Sequence, residues 1–260
     1  MSASDDKFYH PRITQRLDLA SNLWTFRIKL DGDFQFSPGQ YATLGVVDPD
    51  SKRWERPYSI VSAPFENEIE FFLELVPGGD LTPRIYELQV GDELLMRKSA
   101  KGRFTLQTAS TRTNHLLICT VTGVAPFVSY ARTLYKQWKE GGFAGAHKLF
   151  LLHGASRSGE FGYCLELQRI ANEVPWLRYV PTVSRPWEDS AWMGETGRVD
   201  DIIRKYADMW GLDGTNSVAY MCGHPEMIEN AKGILRRVGF GKEFLKEESY
   251  WVPGKEAAAR

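Results

Sequence analysis

The hydrophobic pattern of this 260-residue chain changes its period at a polar stretch, 107–114. Before it, apolar residues such as Trp24 and Phe26 alternate with polar ones, which is the two-residue period of a β-strand with one buried face. Beyond it, short apolar runs alternate with segments of helical period. We therefore expect two domains: an antiparallel β domain of residues 1–107 and an α/β domain of residues 114–260.

Strand and helix patterns alternate in the second part, which predicts a parallel sheet. The apolar runs expected to form its strands are His115–Thr120, Lys148–His153, Arg178–Val183 and Ser217–Cys222. Helical faces follow two of these runs, at 127–138 and 227–238. Ligands of such sheets bind at the carboxyl ends of the strands, so the residues just after these runs are the candidates for a binding site.

Composition excludes several classes of partner. With 43% hydrophobic residues, the chain can fill two compact cores. Its formal net charge of -1 gives no overall attraction to nucleic acid or to an anionic membrane, so we expect no nucleic-acid partner. No apolar run approaches the roughly 20 residues of a membrane span, and Met1–His10 lacks the apolar core of a signal peptide. A soluble, cytoplasmic protein without a membrane span is expected.

A metal centre is not expected either. The three cysteines, Cys119, Cys164 and Cys222, are too few and too widely spaced for a zinc pair or a four-thiolate iron–sulfur cluster. The five histidines also lack the spacing of metal ligands.

The run Arg56-Pro57-Tyr58-Ser59 is the first candidate site. An aromatic ring beside a guanidinium suits a flavin dinucleotide, because Tyr58 can lie against the ring system while Arg56 neutralises the pyrophosphate. The hydroxyl of Ser59 can hydrogen-bond the flavin ring. A strand that ends in Arg and Tyr is also common, so this run has weight only together with other motifs.

Two glycine-containing turns precede predicted helices. The first, 78–82, leads into a helix with Thr82 as the expected N-cap and Pro83 at the first helical position, where unpaired N–H groups can hold a pyrophosphate. In the second, Thr122 and Gly123 lie between a strand and a helix, which is also a phosphate-binding position. Each turn has an ordinary structural explanation as well: a capped turn in the first case, and a strand-to-helix glycine in the second.

Five motifs occur together in one order: R-P-Y-S, G-x-L-T, T-x-T-G-x-A-P-F, S-R and C-G. Over about residues 11–252 they resemble the ferredoxin-NADP reductase family, and its compact bacterial members most closely. The resemblance implies a six-stranded antiparallel Greek-key β-barrel that binds FAD, followed by a Rossmann-like parallel-sheet domain that binds NADP. By that similarity the FAD-binding residues are Arg56, Pro57, Tyr58, Ser59, Gly79, Leu81 and Thr82, and the residues of the nicotinamide site are Thr122, Gly123, Cys222 and Gly223.

Selection of NADP over NAD is expected to depend on Ser184 and Arg185, which follow the predicted strand ending at Val183. An adenosine 2′-phosphate needs a cation and hydroxyl donors, and no carboxylate follows this strand immediately. Arg157 and Arg198 fall where the bacterial family supplies further phosphate-binding arginines. Each arginine alone is also an ordinary surface residue.

The chain departs from the family pattern at two places. Val121 stands where the family usually has glycine, and its branched side chain narrows the approach to the dinucleotide. Related bacterial chains also place an aromatic residue over the flavin near the C-terminus, and the best alignment puts Ala257 there. We expect that cover to be missing, or to be supplied by another residue such as Trp251.

The function expected from these motifs is hydride exchange between NADP(H) and FAD, and single-electron exchange with ferredoxin or flavodoxin, by a monomer. The flavin supplies the chemistry, and Tyr58, Ser59 and Cys222 are the residues expected to orient the reacting rings. Two alternatives share the motifs: a reductase that serves an oxygenase or free flavin, and a flavin redox sensor without turnover.

Overall fold

The computed structural model describes residues 7–250. Its N-terminal part is antiparallel, in two sheets of order β1-β7-β4-β5 and β2-β3-β6. The strands and the helix are β1 Phe8–Tyr9, β2 Arg12–Ala20, β3 Leu23–Lys29, β4 Tyr41–Val47, β5 Arg53–Ser59, β6 Ile69–Glu74, α1 Thr82–Glu87 and β7 Leu95–Arg97.

The two antiparallel sheets enclose one apolar core. Isolated bridges, including Arg12 with Glu93, and the bond from Val61 N to Glu70 O (2.9 Å) connect elements of the two sheets. Trp24, Phe26 and other alternating side chains of β3 are almost fully buried in this core. The antiparallel class is confirmed. Six strands correspond to the expected barrel, and β1 adds a two-residue seventh strand at the edge.

The C-terminal part is a six-stranded parallel sheet of order β11-β10-β9-β8-β12-β13. Its elements are β8 Asn114–Thr120, α2 Ala125–Lys139, β9 Lys148–Ala155, α3 Cys164–Glu173, β10 Leu177–Val183, β11 Glu195–Thr196, α4 Val199–Trp210, β12 Ser217–Gly223, α5 Pro225–Arg237 and β13 Leu245–Ser249. The expected parallel sheet is therefore confirmed, with β11 and β13 as two additional edge strands.

Helices cover both faces of this sheet, as its apolar strands require. Residues of α2 and α3 belong to one core cluster, and residues of α4 and α5 belong to the cluster on the opposite face. The first cluster extends into the antiparallel part, because Val61 and Phe72 pack with residues of α2 and β8. Within residues 7–250, no helix combines the length and the apolar character needed to cross a bilayer.

An ionic network also joins the two parts, and we call it the Arg132 network. The Arg132 guanidinium, on α2, pairs with three carboxylates: Glu70 on β6 (2.7 Å), Glu66 (3.3 Å) and Glu166 on α3 (2.7 Å). One turn earlier on α2, the buried Ser129 Oγ donates to Ser62 O at 2.8 Å. Helix α2 is therefore attached to the antiparallel part by a cation and by a hydroxyl on the same face.

Candidate functional site

The carboxyl end of β5 carries the R-P-Y-S run. The Arg56 guanidinium lies 3.2 Å from the Asp80 carboxylate, in the loop that precedes α1. Tyr58 and Ser59 follow on the same strand and are both partly exposed. Two motifs that are separated in the sequence thus form one surface, with a cation, an aromatic ring and a glycine-containing loop.

The loop before α1 differs from the prediction in one respect. Thr82 is not the N-cap: the helix begins at Thr82, after Leu81, and Pro83 lies in its first turn. The Thr82 Oγ1 instead accepts a hydrogen bond from Val76 N at 3.1 Å, and so closes the loop around Gly79. Leu81 is buried in the core and anchors the loop. The prediction of Thr82 as the N-cap is wrong because its side-chain oxygen accepts from the N–H of Val76, which precedes the helix, and not from an N–H of the first helical turn.

The turn after β8 is closely packed against the end of β12. A Cβ added to Gly123 would lie 2.3 Å from Cys222 O, and one added to Gly223 would lie 2.2 Å from Thr120 Oγ1. Both positions therefore require glycine. Thr122 lies in this turn and is partly exposed. The absence of side chains at these two positions consequently lets the ends of two neighbouring parallel strands pack against each other.

Val121 adopts a conformation that is unusual for its residue type. Its φ is +42°, in the left-handed region, where a β-branched side chain is strained. Its carbonyl oxygen accepts from the buried His153 Nε2 at 3.0 Å, and its side chain packs on two apolar clusters. The turn is thus held by packing in a form that glycine would adopt without strain.

Cys222 and Ser59 meet around a residue that the sequence analysis missed. Glu248 on β13 is the register partner of Cys222 on β12, and its Oε2 accepts from Ser59 Oγ at 3.1 Å. The contact joins positions 189 residues apart, one from each part of the chain. The available signal was weak: an acidic residue in a short polar strand near the end of the chain.

Burial sets the protonation of this cluster. Loss of solvent raises the pKa of the Cys222 thiol well above its usual range, so it is a neutral thiol and not a nucleophile. Burial also raises the pKa of the Glu248 carboxyl, and the hydrogen bond from Ser59 offsets only part of this shift. Glu248 therefore retains its proton to a higher pH than an exposed glutamate.

Tyr250 is a second residue that the sequence analysis did not identify. Its hydroxyl donates to Thr120 O and accepts from Gly123 N at 2.6 Å, while its own N–H donates to Gly223 O at 3.1 Å. An aromatic side chain that the prediction did not consider thus lies against the glycine turn. Trp251 and Ala257, to which that prediction referred, lie outside the described residues.

The predicted phosphate-binding arginines all lie near strand ends, but each faces a carboxylate. Arg157 pairs with Glu160 at 3.3 Å and with Glu188, and Arg185 approaches Glu188 at 3.8 Å. Ser184 adjoins Arg185 at the end of β10. Arg198 is paired separately, with Asp200 and Glu226, each at 3.3 Å. The structure therefore joins Arg157 and Arg185 through a shared partner and gives Arg198 different ones.

Replacement of Val121 by glycine tests the strained turn. By the resemblance given above, we expect the variant to bind NADP⁺ about tenfold more tightly, because the approach to the dinucleotide site widens, and to keep near-native stability. Relief of strain worth about 1 to 3 kcal/mol should offset the lost packing of one half-buried side chain. Flavin absorbance difference titration measures the affinity. Val121→Ala is the matched control, because it removes the branch and keeps a Cβ at positive φ. Equal NADP⁺ affinity in all three proteins would contradict the argument.

Two family models match this chain, one over the antiparallel part and one over the parallel part. The oxidoreductase FAD-binding domain covers residues 11–106, and the oxidoreductase NAD-binding domain covers residues 117–233. Ferredoxin--NADP reductase A of Sorangium cellulosum is 30% identical over 233 residues, which are 84% of this chain and 79% of that protein. The reductase component of the naphthalene 1,2-dioxygenase system of Pseudomonas putida is also 30% identical, over 88% of this chain and 64% of that protein.

A solved structure supports the same fold. The ferredoxin NADP⁺ reductase from Neisseria gonorrhoeae, with bound FAD and NADP, superposes with a TM-score of 0.81 and 23% identity, over 94% of this chain and 99% of that one. The antiparallel and parallel parts of the fold, the order of the domain models and 30% identity across most of a curated relative agree with each other. This chain belongs to the ferredoxin-NADP reductase family.

Proposed function

We propose that this protein is an FAD-dependent oxidoreductase that exchanges hydride between NADP(H) and FAD, and single electrons with ferredoxin or flavodoxin. The observation that carries the proposal is the Ser59 to Glu248 contact, with Cys222 beside it. It brings the end of a flavin-binding strand to the carboxyl edge of the parallel sheet. Two cofactors bound at these edges would therefore face each other in one cleft.

The residues of the antiparallel part fit FAD. Arg56 supplies a partly exposed guanidinium for the pyrophosphate, and the adjacent Gly79 loop supplies backbone N–H groups at a helix start. Tyr58 supplies a ring to lie against the flavin, and Ser59 supplies a hydroxyl. FAD held by these residues would supply hydride and single-electron chemistry.

The residues of the parallel sheet fit a nicotinamide dinucleotide. Gly123 and Gly223 let the turn after β8 pack directly on the end of β12, which brings together the two strand ends at which a dinucleotide would bind. Cys222 offers a small neutral thiol against which a nicotinamide ring can pack. Hydride transfer needs near contact of the two rings, and Cys222 would help to orient the nicotinamide ring for it.

The Ser59 and Glu248 pair can move a proton. Ser59 Oγ both donates and accepts, so it can pass a proton between the flavin site and Glu248 Oε2. The raised pKa of Glu248 brings its titration closer to neutral pH, which makes it a better proton carrier there than an ordinary glutamate. Single-electron exchange, which is accompanied by proton movement, is the step that this pair would serve.

An acidic carrier protein fits the basic end of the barrel. Lys98, Lys101 and Arg103 are exposed there, and Arg97 lies partly buried beside them. The relative from Pseudomonas putida supports the alternative of a reductase that serves an oxygenase. Rates with each acceptor separate these two roles. A cytoplasmic monomer, with cofactor domains of residues 1–107 and 114–260, completes the proposal.

Replacement of Arg56 by alanine tests the flavin site. We expect FAD to dissociate about tenfold to a hundredfold more readily, because a charge-assisted contact to phosphate is lost. Flavin occupancy after extensive dialysis measures the effect. Arg53→Ala is the matched control: Arg53 is an exposed arginine on the same strand, 4.5 Å from the ring of Phe8. Full occupancy in the Arg56 variant would overturn the assignment, and a wild-type flavin that NADPH does not reduce would favour the redox sensor.

A further inference from the structure

The two arginines nearest the expected 2′-phosphate are placed side by side by backbone hydrogen bonds. Ser184 N donates to Ala155 O at 2.9 Å, and Arg185 N donates to Ser156 O at 3.1 Å. The segment after β10 therefore continues next to the segment after β9, which carries Arg157. This adjacency is fixed by the main chain and does not depend on a ligand.

A carboxylate lies between these arginines. Glu188 pairs through Oε2 with Arg157 and approaches Arg185 through Oε1 at 3.8 Å. A short 3-10 turn, Pro186–Glu188, carries it, and Asp189 anchors that turn by accepting from Ser158 N at 2.7 Å. The Glu188 carboxylate thus lies against the two guanidinium groups that an adenosine 2′-phosphate would need to contact.

We propose that Glu188 is a specificity-determining residue, an internal counter-ion that competes with the 2′-phosphate of NADPH and lowers the preference for NADPH over NADH. This inference rests on the proposed function. A phosphate must separate Glu188 from Arg157 and Arg185 and then tolerate a carboxylate nearby. With NADH the carboxylate need not be displaced, and it can accept a hydrogen bond from the ribose 2′-hydroxyl, which is the role acidic residues have in NAD sites.

Exposure explains why NADPH can still bind. The side chains of Arg157, Arg185 and Glu188 are 46%, 50% and 35% exposed. Ion pairs exposed to this extent are weak, so a phosphate with two negative charges can displace a single carboxylate. Glu188 therefore reduces the selectivity for the 2′-phosphate and does not abolish its binding.

The test uses the FAD-loaded protein and two fragments that cannot transfer hydride, adenosine 2′,5′-bisphosphate and ADP. In Glu188→Gln, calorimetry should show about tenfold tighter binding of the bisphosphate and no gain for ADP. The ratio of kcat/KM for NADPH to that for NADH should rise by about the same factor. The preference of the variant should also fall more steeply with added salt, because the phosphate then meets arginines that have lost one of their carboxylate partners, although Glu160 still pairs with Arg157.

The matched control is Asp208→Asn. Asp208 pairs with Arg204 at 2.7 Å near the C-terminal end of α4, so this variant removes one exposed, arginine-paired negative charge that is not part of the Glu188 cluster. An equal gain in both variants would overturn the inference in favour of a general charge effect, and so would unchanged bisphosphate affinity in Glu188→Gln. Failure of the proposed function gives a different result: wild type would bind neither fragment, and NADPH would not reduce its flavin. Failure of the Glu188 inference alone would leave both of these wild-type properties intact.

Discussion

Replacing Arg132 by methionine should lower the free energy of unfolding by about 3 kcal/mol, because it breaks a largely buried ionic network: Glu166 loses this cation, and Glu66 and Glu70 are left with Arg27 alone. Arg132 is 13% exposed, Glu70 is 8% exposed and Glu66 is 16% exposed. Burial lowers the pKa of Arg132, but its hydrogen bond to Glu166 and the neighbouring carboxylates more than offset this, so the pKa is raised overall. The guanidinium is therefore charged at every working pH.

Urea unfolding of the FAD-loaded protein, followed by circular dichroism and flavin fluorescence, measures this loss. Arg169→Met is the matched control: Arg169 pairs with Glu173 at 2.8 Å, but its side chain is 54% exposed. A surface pair of this kind contributes about 1 kcal/mol or less. Similar small losses in both variants would show that the Arg132 network does not stabilise the junction between the two parts.

Replacing Glu248 by glutamine should slow turnover with a one-electron acceptor by about a hundredfold, the lower range for loss of a positioned proton-transfer group. Glutamine keeps the size of the side chain but cannot take up a proton. In wild type, the rate of electron release should fall as the pH drops through the raised pKa of Glu248, because only the carboxylate accepts a proton. The variant should lack this acidic limb.

Stability gives an independent check on the Glu248 variant. Because the folded-state pKa of Glu248 lies above its ordinary value of 4.5, its contribution to stability is greatest at low pH and declines as the pH rises through the folded pKa. Glu248→Gln removes that decline, so it should be at least as stable as wild type at neutral pH. A slow but stable variant therefore indicates lost proton transfer and not misfolding.

Glu247→Gln is the matched control for this prediction. Glu247 precedes Glu248 on β13 and pairs with Lys232 at 2.7 Å, with its side chain 48% exposed. Stopped-flow measurement of flavin reduction and reoxidation should show near wild-type rates for this variant. Wild-type rates and an intact acidic limb in Glu248→Gln would remove Glu248 from the proton path.

The sequence predicted the elements that carry strong apolar patterns. The alternating pattern at Trp24 and Phe26 forms β3, and the four expected parallel strands all occur with ends shifted by at most two residues. Strand β13 was missed because Leu245–Ser249 is polar and pairs on one side only, with β12. Its strand conformation comes from that tertiary pairing. Helix α4 was missed although its apolar residues recur with helical spacing.

Local motifs placed the two sides of the candidate site but not the contact between them. Arg56 and Asp80 come from neighbouring motifs, and their proximity follows from short loops. Ser59 and Glu248 meet only because β13 returns to the end of β5, which no local pattern reports. The pairing of Glu188 with Arg157 escaped prediction for the same reason, because it depends on how two strand ends adjoin.

The geometry of helix α2 limits which nucleotide-binding parts could be exchanged between related proteins. The helix begins at Ala125, directly after the glycine turn, and two turns later its Arg132 reaches Glu66 and Glu70 of the other part. Since a helix advances about 1.5 Å per residue as a stiff rod, the distance from turn to anchor is fixed. A chimera that imports a foreign nucleotide module should therefore retain hydride transfer only if the donor helix keeps this spacing and the matching acceptors are transplanted with it.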